Sequence, residues 1–229
     1  MNGTSRGPQL GDEMAMQRHR MVERLRNHYK IADERVLDVM AALPRHRFVP
    51  EAIKSQAYND NALPISGGQT ISQPYIVARM TELLELNGTE KVLEIGAGSG
   101  YQTAVLASLA RKVFSIERIP VLAEEADRRL RILGFRNYSL KVDDGTEGWP
   151  AYGPYDAMLV AAGGPNVPEP LINQLKIGGK LVIPVGDDIR KQVLIRVTRR
   201  ENEIEEENFG PCAFVPLIGS FGWETKDRG

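Results

Sequence analysis

Apolar positions along the chain follow two periodicities, one helical and one typical of strands alternating with helices. In the first part, residues 14–29 and 33–43 repeat apolar side chains every three or four positions, as one face of a helix requires. Asp33 is a suitable N-cap for the second of these helices, and Pro44 ends it. The pattern predicts a small helical leader.

From Lys91 onward, short runs of consecutive apolar residues alternate with stretches of helical spacing. Such runs are typical of parallel strands, because neither face of a strand in a covered sheet meets water. The predicted strands are 92–95, 113–116, 157–160 and 181–185, and the predicted helices are 103–110, 121–133 and 169–175. The order predicts an α/β fold: a doubly wound, mostly parallel sheet with helices on both faces.

Near the end of the chain, residues 192–198 and 203–209 alternate polar and apolar positions. The segment between them, 199–202, is rich in turn-forming residues. We therefore expect a C-terminal β-hairpin. Residues 1–11 are rich in Gly, Ser, Asn and Pro, and we expect them to form a mobile tail.

Composition and charge narrow the functional class. Of 229 residues, 42% are hydrophobic and 26% charged, as in ordinary globular domains. Lys and Arg number 29 against 30 Asp and Glu, so the net charge of −1 provides no positive field for nucleic acid or anionic lipid. No apolar run approaches the ~18 residues of a membrane span, and no signal-peptide pattern is present. We expect neither a nucleic-acid nor a membrane partner.

The chain has a single cysteine, Cys212, which excludes an internal disulfide. Neither Cys nor His residues cluster as a structural zinc site requires. We therefore expect a cytoplasmic protein without a metal site.

A glycine-rich loop follows the first predicted strand of the α/β region. Residues 92–101 read Val-Leu-Glu-Ile-Gly-Ala-Gly-Ser-Gly-Tyr and lead from a buried strand into a helix, where open α/β sheets bind ligands. A dinucleotide site needs Gly-x-Gly-x-x-Gly, but Tyr101 occupies the position of the third glycine. This spacing argues against a nicotinamide dehydrogenase. With Glu94 two residues ahead, it suits a nucleoside that carries an amino-acid tail.

Acidic residues follow the next two predicted strands. Glu117 ends the second strand, where a carboxylate can accept both ribose hydroxyls. Asp144 and Gly145 end a further strand, which lies between the predicted helix 121–133 and the predicted strand 157–160, and a carboxylate there can accept the exocyclic amine of adenine. Because the carboxyl ends of parallel strands meet at one edge of the sheet, the three features together predict a nucleoside site.

This ordered set resembles the class I S-adenosylmethionine-dependent methyltransferases, which have a Rossmann-like fold. Residues 68–75, Gly-Gln-Thr-Ile-Ser-Gln-Pro-Tyr, resemble the signature of protein-L-isoaspartate O-methyltransferases, and so do 155–157, 178–186 and 214–217. The resemblance runs in family order from about Met21 onward, and its 68–75 segment is more specific than the glycine loop. Residues 161–164, Ala-Ala-Gly-Gly, depart from the family pattern at the wall of the acceptor pocket.

The resemblance implies methyl transfer from S-adenosyl-L-methionine to the free α-carboxylate of L-isoaspartyl residues in damaged proteins and peptides. S-adenosyl-L-homocysteine is the other product, and the methyl ester returns to a succinimide, which initiates repair. A carboxylate is already ionised at neutral pH, so the reaction needs alignment rather than a general base. The three histidines all lie in the leader, consistent with this. We expect a monomer that acts on isoaspartyl proteins and peptides.

By the same resemblance, Ser72 is the expected catalytic residue, with its hydroxyl donating to the acceptor carboxylate. The competing interpretation is that Ser72 caps the helix predicted from about Pro74. The expected substrate contacts are Thr70, Ser72, Val215 and Pro216. The expected cofactor contacts are Ile71, Gln73, Glu94, Gly96, Ala97, Gly98, Ser99, Gly100, Glu117, Asp144 and Gly145.

The expected organisation is a tail (1–11) followed by one methyltransferase domain (12–229). We divide the domain into the helical leader with its active-site loop (12–76), the cofactor-binding α/β core (77–186) and the C-terminal strands (187–229).

Two other functions stay open at this point. One is a related methyltransferase acting on a small molecule or RNA; the absence of a basic aromatic stretch weakens the RNA version, and the 69–73 motif weakens both. The other is a non-catalytic methyltransferase-fold protein that binds the nucleoside. Ser72 argues against that, because a pure binder needs no hydroxyl to position an acceptor.

Overall fold

A seven-stranded mixed sheet forms the centre of the protein in the computed structural model, which describes residues 14–224. The strands are β1 (Leu63–Pro64), β2 (Thr70–Ile71), β3 (Lys91–Ile95), β4 (Lys112–Glu117), β5 (Tyr138–Val142), β6 (Tyr155–Val160), β7 (Leu175–Asp188), β8 (Lys191–Arg199) and β9 (Ile204–Cys212). β1 and β2 form a separate antiparallel pair. The predicted tail, 1–11, lies outside the described residues.

The large sheet has the order β5-β4-β3-β6-β7-β8-β9. The first five strands in this order are parallel, and β8 and β9 continue the sheet as an antiparallel hairpin. This confirms the predicted mostly parallel α/β sheet and the C-terminal hairpin.

The helices are α1 (Ala15–Asn27), α2 (Glu34–Ala42), α3 (Pro74–Leu83), α4 (Tyr101–Leu109), α5 (Pro120–Ile132) and α6 (Glu169–Gln174). α1 and α2 are the predicted leader. The Asp33 carboxylate accepts the amides of Arg35 and Val36, as an N-cap does, and α2 stops just before Pro44.

The two faces of the sheet are covered unequally. Val92, Val113 and Ala157 point to one face, where their side chains join a core cluster built with α1 to α5. Leu93 and Phe114 point to the other face, which α6 and the aromatic rings near the short 3-10 turn Pro150–Tyr152 cover. Helices lie on both faces as predicted, but five of them, α1 to α5, pack on the face that the leader covers, and α6 packs on the other.

β7 begins at Leu175, earlier than the predicted position 181. Leu175 already pairs with Tyr155, and the register shifts before Lys180 pairs with Ala157. Gly178, with a φ of +80°, lies in this irregular part. The apolar run needed to recognise a strand therefore starts only after the irregularity.

Candidate active site

A cleft with about 780 Å³ of empty space lies beyond the carboxyl ends of β3, β4 and β5. We call it the strand-end cleft. Its walls come from the glycine loop, from the 69–72 segment and from the 215–218 segment, and its lining includes Gln69, Thr70, Ile71, Ser72, Ile95, Gly96, Ala97, Gly98, Ser99, Glu117, Gly145, Ala161, Val215 and Pro216. Most of the predicted site residues are thus brought to one cleft.

The glycine loop makes a tight turn between β3 and α4. The Gly96 amide donates to the Ile116 carbonyl at 2.8 Å, which ties the start of the loop to β4. Gly100 has a φ of +86°, and a Cβ there would lie 3.2 Å from the Cβ of Ala126 in α5. The left-handed backbone and the close helix together require glycine at this position.

Glu117 is buried at the end of β4 and lines the strand-end cleft. Its Oε2 accepts the amide of Gly98 at 2.9 Å, and its Oε1 accepts the amide of Ile119 at 2.9 Å. Each carboxylate oxygen has a further lone pair. The carboxylate is therefore held rigidly and can still accept hydroxyl groups from a ligand in the cleft.

Asp144 lies at the same edge but is not among the residues that line the cleft. Oδ1 accepts both the amide and the hydroxyl of Thr146, at 2.8 and 2.7 Å, and Oδ2 accepts the Ser220 amide at 2.6 Å. Burial opposes ionisation of this carboxyl, but the hydrogen bonds from Ser220 and Thr146 outweigh it and lower its pKa. Asp144 thus holds the 218–223 segment at this edge of the sheet, and its contact with adenine stays a prediction.

Gly145, next to Asp144, does line the cleft. A Cβ at Gly145 would lie 2.3 Å from Cγ2 of Ile95. Only glycine fits against the end of β3 here, and it leaves a flat backbone surface facing the cleft.

Glu94 is completely buried between β3, β4 and α4 and lies outside the cleft lining. Its Oε2 accepts the hydroxyls of Thr103 and Ser115, each at 2.6 Å, whereas Oε1 has no partner within residues 14–224. Burial raises the pKa of Glu94 to about 7, although both hydroxyl bonds act in the opposite direction. Glu94 therefore anchors the sheet to α4, and its contact with the cofactor stays a prediction.

Ser72 follows β2 and lines the strand-end cleft. Gln73, not Ser72, is the N-cap residue of α3, and the side chain that accepts an amide of the first helical turn is Asp60, whose Oδ1 accepts the Tyr75 amide at 3.2 Å. The competing interpretation of Ser72 as a helix cap is therefore wrong. The Ser72 carbonyl accepts a hydrogen bond from Nη2 of Arg45 at 2.7 Å.

A second cleft, which we call the outer cleft, adjoins the first and has about 980 Å³ of empty space. Its lining contains no charged side chain and consists of Tyr29, Ala62, Thr70, Ser72, Gln73, Tyr75, Ile76, Ala161, Pro211, Cys212, Ala213, Phe214 and Val215. The two clefts share Thr70, Ser72, Ala161 and Val215. These four residues form the boundary across which two ligands would meet.

Gln73 faces the outer cleft rather than the strand-end cleft. Its amide nitrogen donates to Oδ2 of Asp60 at 3.0 Å, and Asp60 also accepts the hydroxyl of Tyr29. The Tyr29 ring is stacked on Tyr75 with centroids 4.2 Å apart. Gln73 thus belongs to a polar and aromatic wall of the outer cleft, and its contact with the cofactor stays a prediction.

The 161–164 segment, where the chain departs from the family pattern, supports the backbone at the shared boundary. The Gly163 amide donates to the Val215 carbonyl, and the Leu217 amide donates to the Gly163 carbonyl, both at 2.8 Å. A Cβ at Gly163 would lie 2.3 Å from Nε2 of Gln192. Because Gly163 leaves this space, Gln192 packs here and accepts the Phe214 amide at 2.7 Å.

A sequence model of the protein-L-isoaspartate (D-aspartate) O-methyltransferase family matches residues 16–222. This chain belongs to that family. It is 55% identical over 215 residues to a protein-L-isoaspartate O-methyltransferase of Syntrophus aciditrophicus, covering 93% of this chain and 98% of the relative. It is 52% identical over 211 residues to the Geobacter metallireducens enzyme of the same name, covering 92% and 97% of the two chains.

Solved structures of the family agree with the fold. One protein-L-isoaspartate O-methyltransferase superposes with a TM-score of 0.81 at 28% identity, covering 90% of this chain and 67% of the other. A second, from Plasmodium falciparum in complex with S-adenosyl-L-homocysteine, has a TM-score of 0.76 at 25% identity and covers 88% and 98% of the chains. The class I methyltransferase fold and the family resemblance are confirmed.

Several residues of the site lie outside the motifs that identify this family from sequence. Ala161 lines both clefts, and Ile218 and Arg118 line the strand-end cleft. Ala161 directly follows β6. Because β6 lies beside β3 in the parallel sheet, its carboxyl end could have been predicted to line the same cleft. Arg45, which contacts the Ser72 carbonyl from outside both clefts, had no such signal, because the residues it contacts are distant in sequence.

No three His, Cys, Asp or Glu side chains within residues 14–224 are placed to hold a metal ion. No helix in the same range is long and apolar enough to cross a membrane.

Proposed function

We propose that this chain transfers the methyl group of S-adenosyl-L-methionine to the free α-carboxylate of L-isoaspartyl residues in damaged proteins and peptides. The observation that carries the proposal is the boundary shared by the two clefts, at Thr70, Ser72, Ala161 and Val215. A nucleoside in one cleft and a peptide in the other would meet there, as in-line transfer requires. Membership in the family supplies the cofactor and the class of substrate.

The strand-end cleft fits S-adenosyl-L-methionine in its chemistry. Glu117 presents an anchored carboxylate to the ribose hydroxyls, and the glycine loop brings its backbone close to the ligand. Gly145 offers the adenine a flat surface without a side chain. When bound, the cofactor supplies an electrophilic methyl group on a positively charged sulfur.

The residues at the boundary bind and orient the acceptor. Ser72 donates its hydroxyl to one oxygen of the isoaspartyl carboxylate, which leaves the other oxygen free to form the bond to the methyl carbon. Thr70 lies beside it, and the backbone at Val215 and Pro216 holds the peptide. The attacking carboxylate carries no proton at neutral pH, so no residue has to remove one. Alignment and exclusion of water are the work of the protein.

The uncharged outer cleft supports a peptide over an RNA substrate, since RNA binding relies on Lys and Arg contacts to phosphates. The net charge of −1 also supports a protein that does not work on nucleic acid or membranes. We place the enzyme in the cytoplasm as a monomer, with a single domain over 12–229 after the 1–11 tail.

The test is transfer of labelled methyl from S-adenosyl-L-methionine to an isoaspartyl peptide, to its aspartyl twin and to an RNA oligomer, with a chelator present. In aspartate the side-chain carboxylate stands one methylene farther out, a displacement of ~1 Å that costs around a hundredfold in an alignment-limited reaction. We expect labelling of the isoaspartyl peptide alone. Equal labelling of the twins, labelling of RNA, or a need for added metal would contradict the proposal.

A further inference from the structure

Arg45 is among the largest completely buried side chains of the described chain. It opens the short 3-10 turn Arg45–Phe48 that follows α2. Its side-chain hydrogen bonds go to backbone carbonyl groups rather than to a carboxylate. Burial lowers the pKa of Arg45 to about 10, so the guanidinium is still cationic at neutral pH. The charge of Asp60 favours the cationic form, but burial outweighs it, so the cation is costly here and an apolar side chain would fill the same space at less cost.

The guanidinium of Arg45 joins three separate segments. Nε donates to the Ala57 carbonyl at 2.8 Å, and Nη2 donates to the Ser72 carbonyl at 2.7 Å. The guanidinium carbon lies 4.8 Å from the centroid of the Tyr101 ring. Tyr101 is the first residue of α4, directly after the glycine loop. One side chain therefore connects three parts of the protein: the helical leader, the loop of Ser72 and Gln73 between β2 and α3 (the Ser72 loop), and the start of α4.

We propose that Arg45 is a positioning residue for methyl transfer, which sets the distance from Ser72 to the glycine loop by holding the Ser72 carbonyl. The inference rests on the proposed function of Ser72. Arg45 lies in neither cleft lining, so it acts through Ser72 rather than on substrate or cofactor.

The Ser72 loop needs such a support. Ser72 and Gln73 lie between β2 and α3, outside regular secondary structure. A shift of ~1 Å in an aligned group costs around a hundredfold in rate. A guanidinium holds its five N–H donors in a rigid plane, so it can donate to two carbonyls at fixed angles while stacking on an aromatic ring, whereas the ammonium of lysine has rotatable donors and no planar face. Arginine at this position thus has a specific geometric use.

The alternative is that Arg45 only stabilises the core. Under that alternative, Arg45→Lys lowers the thermal midpoint and leaves the turnover of the folded enzyme unchanged. Leu25→Ala is the matched control, since Leu25 is buried in helix α1 of the leader and lines neither cleft. Both variants are assayed below their thermal midpoints, and Arg45→Gln, which keeps one planar donor group, replaces Arg45→Lys if the lysine variant does not fold.

The kinetic test compares these variants with the wild type on an isoaspartyl peptide. We expect Arg45→Lys to lower kcat by about 10- to 100-fold while the Kd for S-adenosyl-L-homocysteine stays within about threefold. In a Ser72→Ala background, Arg45→Lys should lower kcat little further, because both substitutions disrupt the same alignment of the acceptor by Ser72. Effects that multiply in the double variant, or an equal loss of kcat in Leu25→Ala, would overturn the inference.

A second readout does not depend on activity. Backbone amide hydrogen exchange over residues 70–76 should become about tenfold faster or more in Arg45→Lys and stay unchanged in Leu25→Ala. Unchanged exchange in Arg45→Lys would overturn the positioning role. If the wild type itself fails to methylate the isoaspartyl peptide, the proposed function is wrong, and the exchange result still decides whether Arg45 holds the loop.

Discussion

The amide of Gly98 donates a hydrogen bond of 2.9 Å to Oε2 of Glu117. The residue that ends β4 thereby holds the middle of the glycine loop, and the same carboxylate lines the strand-end cleft. Loop geometry and ligand recognition depend on one side chain. Removing it should loosen the loop and delete an acceptor for the ligand at the same time.

We therefore expect Glu117→Ala to weaken binding of S-adenosyl-L-homocysteine by at least about 1.5 to 3 kcal/mol, the value of a single hydrogen bond to a charged group. Isothermal titration calorimetry measures the change. Glu124→Ala is the control, because Glu124 is exposed on α5 and outside the cleft. Unchanged affinity in Glu117→Ala would remove this residue from the site, and comparable binding of NADH would contradict the cofactor assignment.

Ser72→Ala should keep the fold and most of the cofactor affinity but lower kcat by about 10- to 100-fold, as loss of one hydrogen bond to a charged group predicts. Steady-state methylation of an isoaspartyl peptide gives kcat, and calorimetry gives the Kd for the cofactor product. Ser108→Ala deletes a hydroxyl that bonds the Ala104 carbonyl within α4, and its kcat should match the wild type. Normal turnover in Ser72→Ala would exclude the catalytic role.

The strand-end residues were predictable because the topology of a parallel sheet brings the carboxyl ends of β3, β4 and β5 together. Gly96, Glu117 and Gly145 accordingly line one cleft. The orientation of their neighbours was not predictable, since it depends on partners distant in sequence.

Asp144 illustrates this limit, because Ser220, 76 residues away, donates to its carboxylate. Gln73 turns toward Asp60 for the same reason. Arg45 reaches Ser72 over 27 residues, and no local pattern marks either residue as a partner of the other. Motif and periodicity thus predicted which segments form the site, whereas long-range hydrogen bonds decided which side chains face it.

Stability should depend on pH through Glu94, whose pKa burial raises from 4.5 to about 7. Between these values the folded state holds a proton that the unfolded state releases. The contribution of Glu94 to stability is therefore full below pH 4.5, falls as the pH rises to about 7, and is constant above that.

Glu94→Gln removes this titration. Urea unfolding of both proteins at pH 5 and pH 7.5 gives the free energy of unfolding. We expect the free energy of unfolding of the wild type, relative to that of Glu94→Gln, to fall by about 2 to 3 kcal/mol from pH 5 to pH 7.5. A difference between the two proteins that is the same at both pH values would show that Glu94 is ionised throughout.

Cys212 lines the outer cleft, and burial raises its pKa from 9.0 to about 11. Because the thiolate is the reactive form, iodoacetamide should modify the folded protein about a hundredfold more slowly than a free thiol at pH 8. Mass spectrometry follows this single cysteine without interference from others. An isoaspartyl peptide should slow the reaction further, and urea should abolish the protection. Modification at the rate of a free thiol would contradict this position for Cys212.

The position of the transferred methyl group is the centre of the proposed function. A methyl ester on the α-carboxylate of isoaspartate has methanol as its leaving group, so it closes to a succinimide that opens partly to normal aspartate. A methyl group on nitrogen, or on a side chain that cannot close a five-membered ring, would stay attached.

Reversed-phase chromatography of an isoaspartyl peptide, incubated with the enzyme and S-adenosyl-L-methionine, measures this directly. We expect succinimide and aspartyl peptide to accumulate, with release of methanol, only when the methyl donor is present, and far more slowly with Ser72→Ala. A stable methylated peptide, with neither succinimide nor aspartyl product, would contradict methyl transfer to the isoaspartyl α-carboxylate.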